Sequence, residues 1–275
     1  MSGRLRAMTG TGRAVASLAV AAALVGCVSE TGESFRIDSA QGASENLTSL
    51  TAAIQRDPRN AEGYNVRGQA LTRAGKFKDA AQDFDRALSL DARFFQAFAN
   101  RAVAKRALGD KLGAVEDYNA ALRLNPNYDT AYIGRGEIYR REGRLNEAKS
   151  DFDRAISLDT TNPRAYHRRG LIHQVRKNHP QAIEDFSTAI SLAPDQYQGY
   201  NGRGLSYAAI GNLDNAFADF NAALRIDQGI AESWANQAFV FEQRGERARA
   251  AKSYARAAQL DPNYRPAKDG LARTR

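Results

Sequence analysis

The sequence contains a single cysteine, Cys27, among 275 residues. One cysteine cannot form a disulfide within the chain, so the fold must be stable without internal cross-links. The main apolar stretch, residues 14–26 (AVASLAVAAALVG), is too short to cross a bilayer comfortably. A disulfide-stapled domain and a polytopic membrane protein are therefore both excluded as fold classes.

Signature motifs of common enzyme classes are also missing. The sequence has no GxSxG, no GxxxxGK[ST], no HExxH and no GxGxxG that opens a helix. Carboxylates such as Glu116-Asp117 and Glu184-Asp185 are adjacent, and neighbours in a helix point in different directions. We therefore expect no enzymatic activity and no cofactor.

Histidines are scarce, and they do not suggest a metal site. His167, His173 and His179 recur at intervals of six residues, which turns successive side chains by about 240° around a helix. We expect no bound metal, and we expect His173 to be a packing residue because tyrosine occupies its place in neighbouring repeats.

The basic excess is modest once the first residues are set aside. The formal net charge is +8, but Arg4, Arg6 and Arg13 precede the apolar stretch, and the remaining chain has 36 basic and 31 acidic residues. These charges are interspersed, so we expect no nucleic-acid partner.

The first 26 residues are typical of an export signal, in which positive residues precede a short apolar segment. The end of that segment, Leu24-Val25-Gly26-Cys27, resembles a bacterial lipobox. This resemblance implies cleavage before Cys27 and lipidation of its thiol, whereas the alternative is a short buried helix with an incidental cysteine. Val28, rather than aspartate, follows the cysteine, which favours the outer membrane. Residues 27–42 are rich in serine, glycine and acidic residues and predict a flexible tether.

From residue 61 onward, the sequence repeats with a period of 34 residues. We number the places of each unit from its first residue, so that Asp129 is place one of the third unit. Place four is aromatic, place eight is glycine or alanine, places 20 and 27 are alanine, and place 24 is aromatic. In order along the chain, place four is Tyr64, Phe98, Tyr132, Tyr166, Tyr200 and Trp234, and place 24 is Phe84, Tyr118, Phe152, Phe186, Phe220 and Tyr254.

This pattern resembles the tetratricopeptide repeat (TPR), and the match runs from Ala61 to Tyr264. The resemblance implies an all-α fold, a right-handed α-solenoid of six helix pairs. The six units are 61–94, 95–128, 129–162, 163–196, 197–230 and 231–264. Residues 43–60 match half a unit and predict one extra helix, and residues 265–275 predict a polar C-terminal capping helix. The chain departs from the family at place seven, where arginine usually replaces leucine.

Two further features recur between the paired helices. Glycine stands between them in five units and suits a left-handed closing residue, but the fourth unit has Lys177. We expect its turn to differ slightly, with Pro180 at the start of the second helix. Arginine at place seven accompanies aspartate at place 23 in five units, whereas the sixth unit has Gln237 and Ser253. This covariation predicts an ion pair that fixes helix packing; the alternative is an ionic ladder for a charged ligand.

In the TPR family the first helices line a concave groove. Carried onto this chain, the resemblance places these residues in the groove: Asn65, Asn100, Arg106, Arg140, Arg141, His167, Arg168, Asn201 and Asn236. Asparagine can donate to and accept from a peptide backbone, and arginine can bind a carboxylate through two hydrogen bonds. We expect an acidic peptide segment as ligand; the alternative is that these are ordinary solvated polar residues.

The whole pattern is similar in plan to the envelope lipoprotein adaptors of the new lipoprotein I type. It implies a lipid-anchored scaffold in the bacterial cell envelope, facing the periplasm, whose partners are other proteins. A pilotin-like lipoprotein of a secretion or pilus assembly system is the alternative. An enzyme or carrier with its own ligand is the third and least favoured possibility.

Overall fold

The computed structural model describes residues 43–274, with side chains from residue 46 onward. This part of the chain forms fourteen α-helices and no strand. The helices are α1 (Ala43–Arg56), α2 (Ala61–Arg73), α3 (Phe77–Leu90), α4 (Phe95–Ala107), α5 (Lys111–Leu124), α6 (Asp129–Arg141), α7 (Leu145–Leu158), α8 (Pro163–Val175), α9 (His179–Leu192), α10 (Tyr197–Ala209), α11 (Leu213–Ile226), α12 (Ala231–Gln243), α13 (Arg247–Leu260) and α14 (Arg265–Thr274). The predicted all-α fold is confirmed.

The helices pack as six consecutive pairs, from α2–α3 to α12–α13, with α1 before and α14 after them. The first helices of neighbouring pairs also contact one another, as α6 contacts α8. Among the described residues, the second helices of neighbouring pairs do not. The first helices are therefore closer together, and they form the inner face of the predicted α-solenoid.

Small residues at place eight allow the two helices of a pair to approach closely. A Cβ atom on Gly136 would lie 2.9 Å from the ring of Phe152, and one on Gly204 would lie 2.6 Å from the ring of Phe220. Both rings are fully buried, as are the alanines at place 20. Each aromatic ring at place 24 thus fills the space that the missing side chain leaves in the partner helix.

The turn of the fourth pair differs only slightly from the others, as expected. Lys177 adopts φ 59°, in the left-handed region that the five equivalent glycines occupy at φ 73° to 90°. The backbone closes in the same way, because Asn178 N donates to His173 O at 2.8 Å, as Arg144 N donates to Tyr139 O at 2.9 Å. Two backbone hydrogen bonds close this turn, from Lys177 N to Gln174 O and from Asn178 N to His173 O. They hold Lys177 in the left-handed conformation that glycine intrinsically favours. Pro180 lies in the first turn of α9, as predicted.

The predicted ion pairs at places seven and 23 are confirmed in all five units. In the third unit, Arg135 donates through Nε and Nη2 to the two carboxylate oxygens of Asp151 at 2.9 and 2.7 Å. The aspartates are buried and the arginine side chains are about one-fifth exposed. The guanidinium also lies over the place-four ring, 5.5 Å from the centroid of Tyr132.

The same arginines make a further contact that the sequence analysis missed. Arg135 Nη1 donates to Asn119 Oδ1, on α5 of the preceding pair, at 2.5 Å. The acceptor is always at place 25 of the preceding unit, where a short polar residue recurs. These acceptors are Thr51, Asp85, Asn119, Asp153 and Ser187. Each arginine therefore joins its own helix pair to the preceding pair or, in the case of Arg67, to the single helix α1.

The sixth unit keeps this arrangement with neutral groups. Ser253 Oγ donates to Gln237 Oε1 at 2.9 Å, and Gln237 Nε2 donates to Asn221 Oδ1 at 2.6 Å. Because both charged residues are replaced together, the sixth unit keeps the hydrogen bond within the pair and the hydrogen bond to the preceding pair.

We expect Lys177→Gly to stabilise the protein by about 0.5 kcal/mol, because relief of left-handed strain exceeds the entropy that glycine loses on folding. The reciprocal change Gly143→Lys should destabilise it by about 1 kcal/mol for the same reason. Urea unfolding of the two variants measures both effects. Equal stabilities for all three proteins would show that the left-handed conformation carries no strain.

We expect Asp151→Ala to lower the free energy of unfolding by about 2 kcal/mol, since it leaves the guanidinium of Arg135 without its carboxylate. The double change Arg135→Gln with Asp151→Ser reproduces the sixth unit and should cost less than Asp151→Ala alone. Urea unfolding of the single and double variants tests this. A double change that costs as much as Asp151→Ala, or more, would show that neutral groups do not replace the ion pair.

Candidate functional site

The inner face is formed by α2, α4, α6, α8, α10 and α12, and it carries all nine predicted groove residues. Asn65 lies on α2, Asn100 and Arg106 on α4, Arg140 and Arg141 on α6, His167 and Arg168 on α8, Asn201 on α10, and Asn236 on α12. The side chains differ in how much of them is open to solvent, and these differences divide the face into distinct parts. Their role in binding remains a prediction.

The asparagines at the two ends of the face connect neighbouring first helices. Asn100 Nδ2 donates to Asn65 Oδ1 at 2.9 Å, and Asn201 Nδ2 donates to Ser233 Oγ at 2.9 Å. Asn65 and Asn201 are buried, so they are less available than an open polar wall would require. Within the described residues, Asn201 Oδ1 and Asn236 Nδ2 are buried atoms without a hydrogen-bond partner.

In the middle of the face, a buried carboxylate holds three arginines. Glu137 accepts two hydrogen bonds from Arg140 at 2.9 Å and one from Arg141 at 2.8 Å. Arg168 Nε, on the next first helix, lies 3.7 Å from Glu137 Oε2. Arg140, Arg141 and Arg168 are therefore brought together, as a shared groove site requires. Spacings of three and four residues between Glu137 and the two arginines of α6 are the sequence signal for this cluster.

The electrostatics of this cluster favour the ionised carboxylate. Burial by itself raises the pKa of Glu137, but hydrogen bonds from Arg140 and Arg141 and the charge of Arg168 outweigh it, and its pKa falls to about 2. Burial and repulsion by Arg140 and Arg164 lower the pKa of Arg168, against the attraction of Glu137. The cluster thus remains ionised at neutral pH, with more positive than negative charge.

Positive charge extends beyond this cluster on both sides. Arg106 on α4 and Arg164 on α8 make no ion pair with any described residue, and Glu137 is the only described carboxylate within 4.0 Å of the other three arginines. We call these five residues the arginine patch: Arg106, Arg140, Arg141, Arg164 and Arg168. Among the described residues, Glu137 is the only carboxylate that pairs with any of these five guanidinium groups, so the patch is suited to an anionic ligand.

A cavity of about 380 Å³ lies beside the patch, between α8 and the junction of α9 with α10. Arg164, His167 and Arg168 line one side of it, and Gln198 and Gly199 line the other. Burial and the charge of Arg168 lower the pKa of His167 to about 4, so this ring is neutral at pH 7. The cavity is large enough for a side chain or a chain terminus of a partner.

Farther along the face, apolar residues replace the carboxylate at place nine. Place nine, which is Glu137 in the third unit, is Leu171, Leu205 and Phe239 in the last three units. Leu205 and Phe239 are each 37% exposed, which is high for residues of this size. We call these three residues the apolar row. The sequence analysis missed it, although the 34-residue register identifies it.

The histidines do not share a site. His167 packs on Phe186, with ring centroids 5.5 Å apart, and His173 lies with Nε2 3.8 Å from Asp185 Oδ2. His179 begins α9. The packing role predicted for His173 agrees with its position, because its side chain is only 12% exposed. Within the described residues, no three His, Cys, Asp or Glu side chains cluster as metal ligands.

Profiles of the tetratricopeptide repeat match most of this repeat region. Those described as "Tetratricopeptide repeat" match residues 47–93, 95–128, 167–229 and 231–264, and one described as "TPR repeat" matches 136–174. Together with the helix pairs, these matches show that the chain belongs to the tetratricopeptide repeat family. The fold is that of a protein-interaction scaffold. No curated protein sequence matches the chain.

Solved structures extend the likeness over most of the described residues. A tetratricopeptide repeat protein from Parabacteroides merdae is 26% identical with a TM-score of 0.64, and the match covers 84% of this chain and 92% of that one. Pseudomonas aeruginosa PilF is 20% identical with a TM-score of 0.70, covering 80% and 99%. YrrB, described as a TPR protein with an unusual peptide-binding site, is 22% identical with a TM-score of 0.55, covering 70% and 99%.

The low pKa of Glu137 generates a prediction about pH. A carboxylate whose pKa is depressed on folding stabilises the protein above its unfolded pKa of about 4.3, and this contribution disappears as the pH falls towards 2. We expect Glu137→Gln to cost about 2 kcal/mol at pH 7 and little at pH 2. Urea midpoints of both proteins across this range give the difference. A cost that does not change with pH would mean that the charge on Glu137 contributes nothing.

Proposed function

We propose that this protein is an adaptor of the bacterial cell envelope, anchored to a membrane through lipid on Cys27, that binds segments of partner proteins on its inner face. The observation that carries the binding part is the arginine patch, in which Glu137 pairs with three guanidinium groups and two more pair with no described carboxylate. Because two of the five have no ion pair within the described residues, an acidic partner segment can bind without first breaking an internal contact.

The peptide character of the ligand has separate support. The inner face is long and open and is assembled from parallel first helices, which suits a chain segment better than a compact small molecule. YrrB, which shares the fold, is described as having a peptide-binding site. The non-catalytic role agrees with the absence of a recognised catalytic motif in the sequence.

The anchoring part of the proposal depends on the sequence before residue 43. The lipobox at Cys27 and the tether of residues 27–42 lie outside the described residues. Within residues 43–274, no helix combines the length and the apolar composition needed to cross a membrane. The lipobox and the position of Val28 favour the outer membrane, with the solenoid facing the periplasm.

A role in secretion or pilus assembly is the alternative within the same architecture. The likeness to PilF supports the shared fold. The two roles differ in the partner: an adaptor gathers envelope enzymes, whereas an assembly lipoprotein binds a secretin or pilus subunit. Mass spectrometry of proteins captured from detergent-solubilised envelopes distinguishes these two outcomes.

We expect Arg106→Glu with Arg164→Glu to reduce capture of the partner at least tenfold, because the change reverses two charges of the arginine patch that hold no internal ion pair. The matched control is Arg123→Glu with Arg225→Glu, which makes the same change on the second helices α5 and α11. Quantitative mass spectrometry of the captured proteins, with circular dichroism to check helix content, measures the effect. Equal losses in both variants, or none in either, would contradict binding at the inner face.

We expect Cys27→Ala to abolish lipid attachment and to release the protein from the membrane, because no other residue of the chain offers a lipobox thiol. Metabolic labelling with palmitate and membrane fractionation measure the two effects. A variant that still labels and still sediments with the membrane would show that the anchor is elsewhere.

A further inference from the structure

The inner face has two chemically different halves, and their order along the solenoid is fixed. The arginine patch spans α4, α6 and α8, whereas the apolar row begins on α8 and continues on α10 and α12. No carboxylate of the described residues balances Arg106 or Arg164, and no neighbouring side chain covers Leu205 or Phe239 fully. Both halves are therefore open to a ligand, and each is open to a different kind of side chain.

Two of the described buried polar atoms without a hydrogen bond lie on the helices that carry the apolar row. Asn201 Oδ1 is an acceptor on α10, and Asn236 Nδ2 is a donor on α12. At the other end of the face, the equivalent places hold Asn65 and Asn100, whose amides are hydrogen-bonded to each other at 2.9 Å. Both atoms of the apolar half are buried, so contact with a ligand falls to the exposed side chains of the two halves.

The geometry points to one kind of ligand. Resting on the proposed function, we infer that the inner face selects an extended segment that carries acidic residues at one end and large apolar residues at the other. The acidic end binds Arg164 and Arg168 at the cavity beside α8, and the apolar end covers Leu205 and Phe239. Charge complementarity fixes the first contact, and removal of apolar surface from water stabilises the second.

The spacing of the helices sets the distance between the two contacts. Packed helices lie 8–10 Å apart, so Leu205 on α10 and Phe239 on α12 are separated from α8 by about 10 and about 20 Å. An extended chain advances about 3.3 Å per residue, so about three residues reach from the acidic group to Leu205 and about six reach to Phe239. A segment with the right composition but a much shorter spacing can reach Leu205 but not Phe239.

Synthetic peptides test this inference directly. The parent peptide carries three glutamates, a five-residue Gly/Ser spacer and the sequence Leu-Phe-Leu, with a fluorescein label. Three control peptides replace the glutamates by glutamine, replace the apolar residues by serine, or shorten the spacer to one residue. Fluorescence anisotropy with the full-length protein in detergent should give the parent a Kd at least tenfold lower than that of each control.

Protein variants assign each half to its own contact. Leu205→Gln with Phe239→Gln should weaken the parent peptide about tenfold and leave the serine peptide unchanged. Arg164→Gln should weaken the parent peptide and leave the glutamine peptide unchanged. Leu112→Gln is the matched control, because Leu112 is 79% exposed on the second helix α5 and should not affect any peptide.

The outcomes separate this inference from the proposed function. Equal binding of all four peptides, or no binding of the parent, would overturn the bipartite selection. If the partner is nevertheless captured from envelopes, and that capture still depends on Arg106 and Arg164, the proposed function stands without it. Loss of parent binding in Leu112→Gln would place the apolar contact away from the inner face and would overturn the inference as well.

Discussion

The structure depends on the arginine at place seven of the first five repeats. Arg135 is typical: two of its N–H groups bind Asp151 of its own helix pair, and a third binds Asn119 of the preceding pair. A guanidinium group is planar and offers donors in fixed directions, which is why one side chain can satisfy both contacts at once. Each repeat buries too little apolar surface to be stable alone, so a polar connection between repeats supplements the packing of aromatic rings on glycine.

This connection also positions the inner face. It fixes each first helix to its own second helix and to the second helix before it, and so holds consecutive first helices side by side. The arginine patch and the apolar row are displayed on those first helices. Their order therefore follows from the order of the repeats, and the face can differ chemically from one end to the other while the backbone repeats.

Sequence periodicity was sufficient to predict the helix pairs and the ion pairs at places seven and 23. The repeats constrain those places strongly, since Gly136 and Phe152, for example, must fit together. Periodicity was less informative about place 25, whose side chain accepts a hydrogen bond from the arginine of the next unit. The acceptors at place 25 vary between threonine, aspartate, asparagine and serine, and only the shared ability to accept a hydrogen bond connects them.

The candidate site was predicted less completely than the fold. Its nine residues were assigned to the correct helices, but the sequence could not show that Asn65 and Asn201 are buried or that Arg168 approaches Glu137 from the next first helix. These properties depend on contacts between successive first helices, which no spacing within one helix reveals. Lys177 illustrates the same limit, because its backbone follows the hydrogen bonds of the turn rather than its own preference.

Hydrogen exchange of the variant Arg135→Ala, read by mass spectrometry across all helix pairs under native conditions, tests the coupling between repeats most directly. If the arginine joins its own pair to the preceding one, exchange should increase in α5, α6 and α7 and remain unchanged in α12 and α13. Faster exchange confined to α6 and α7, with α5 as protected as before, would contradict a connection between repeats.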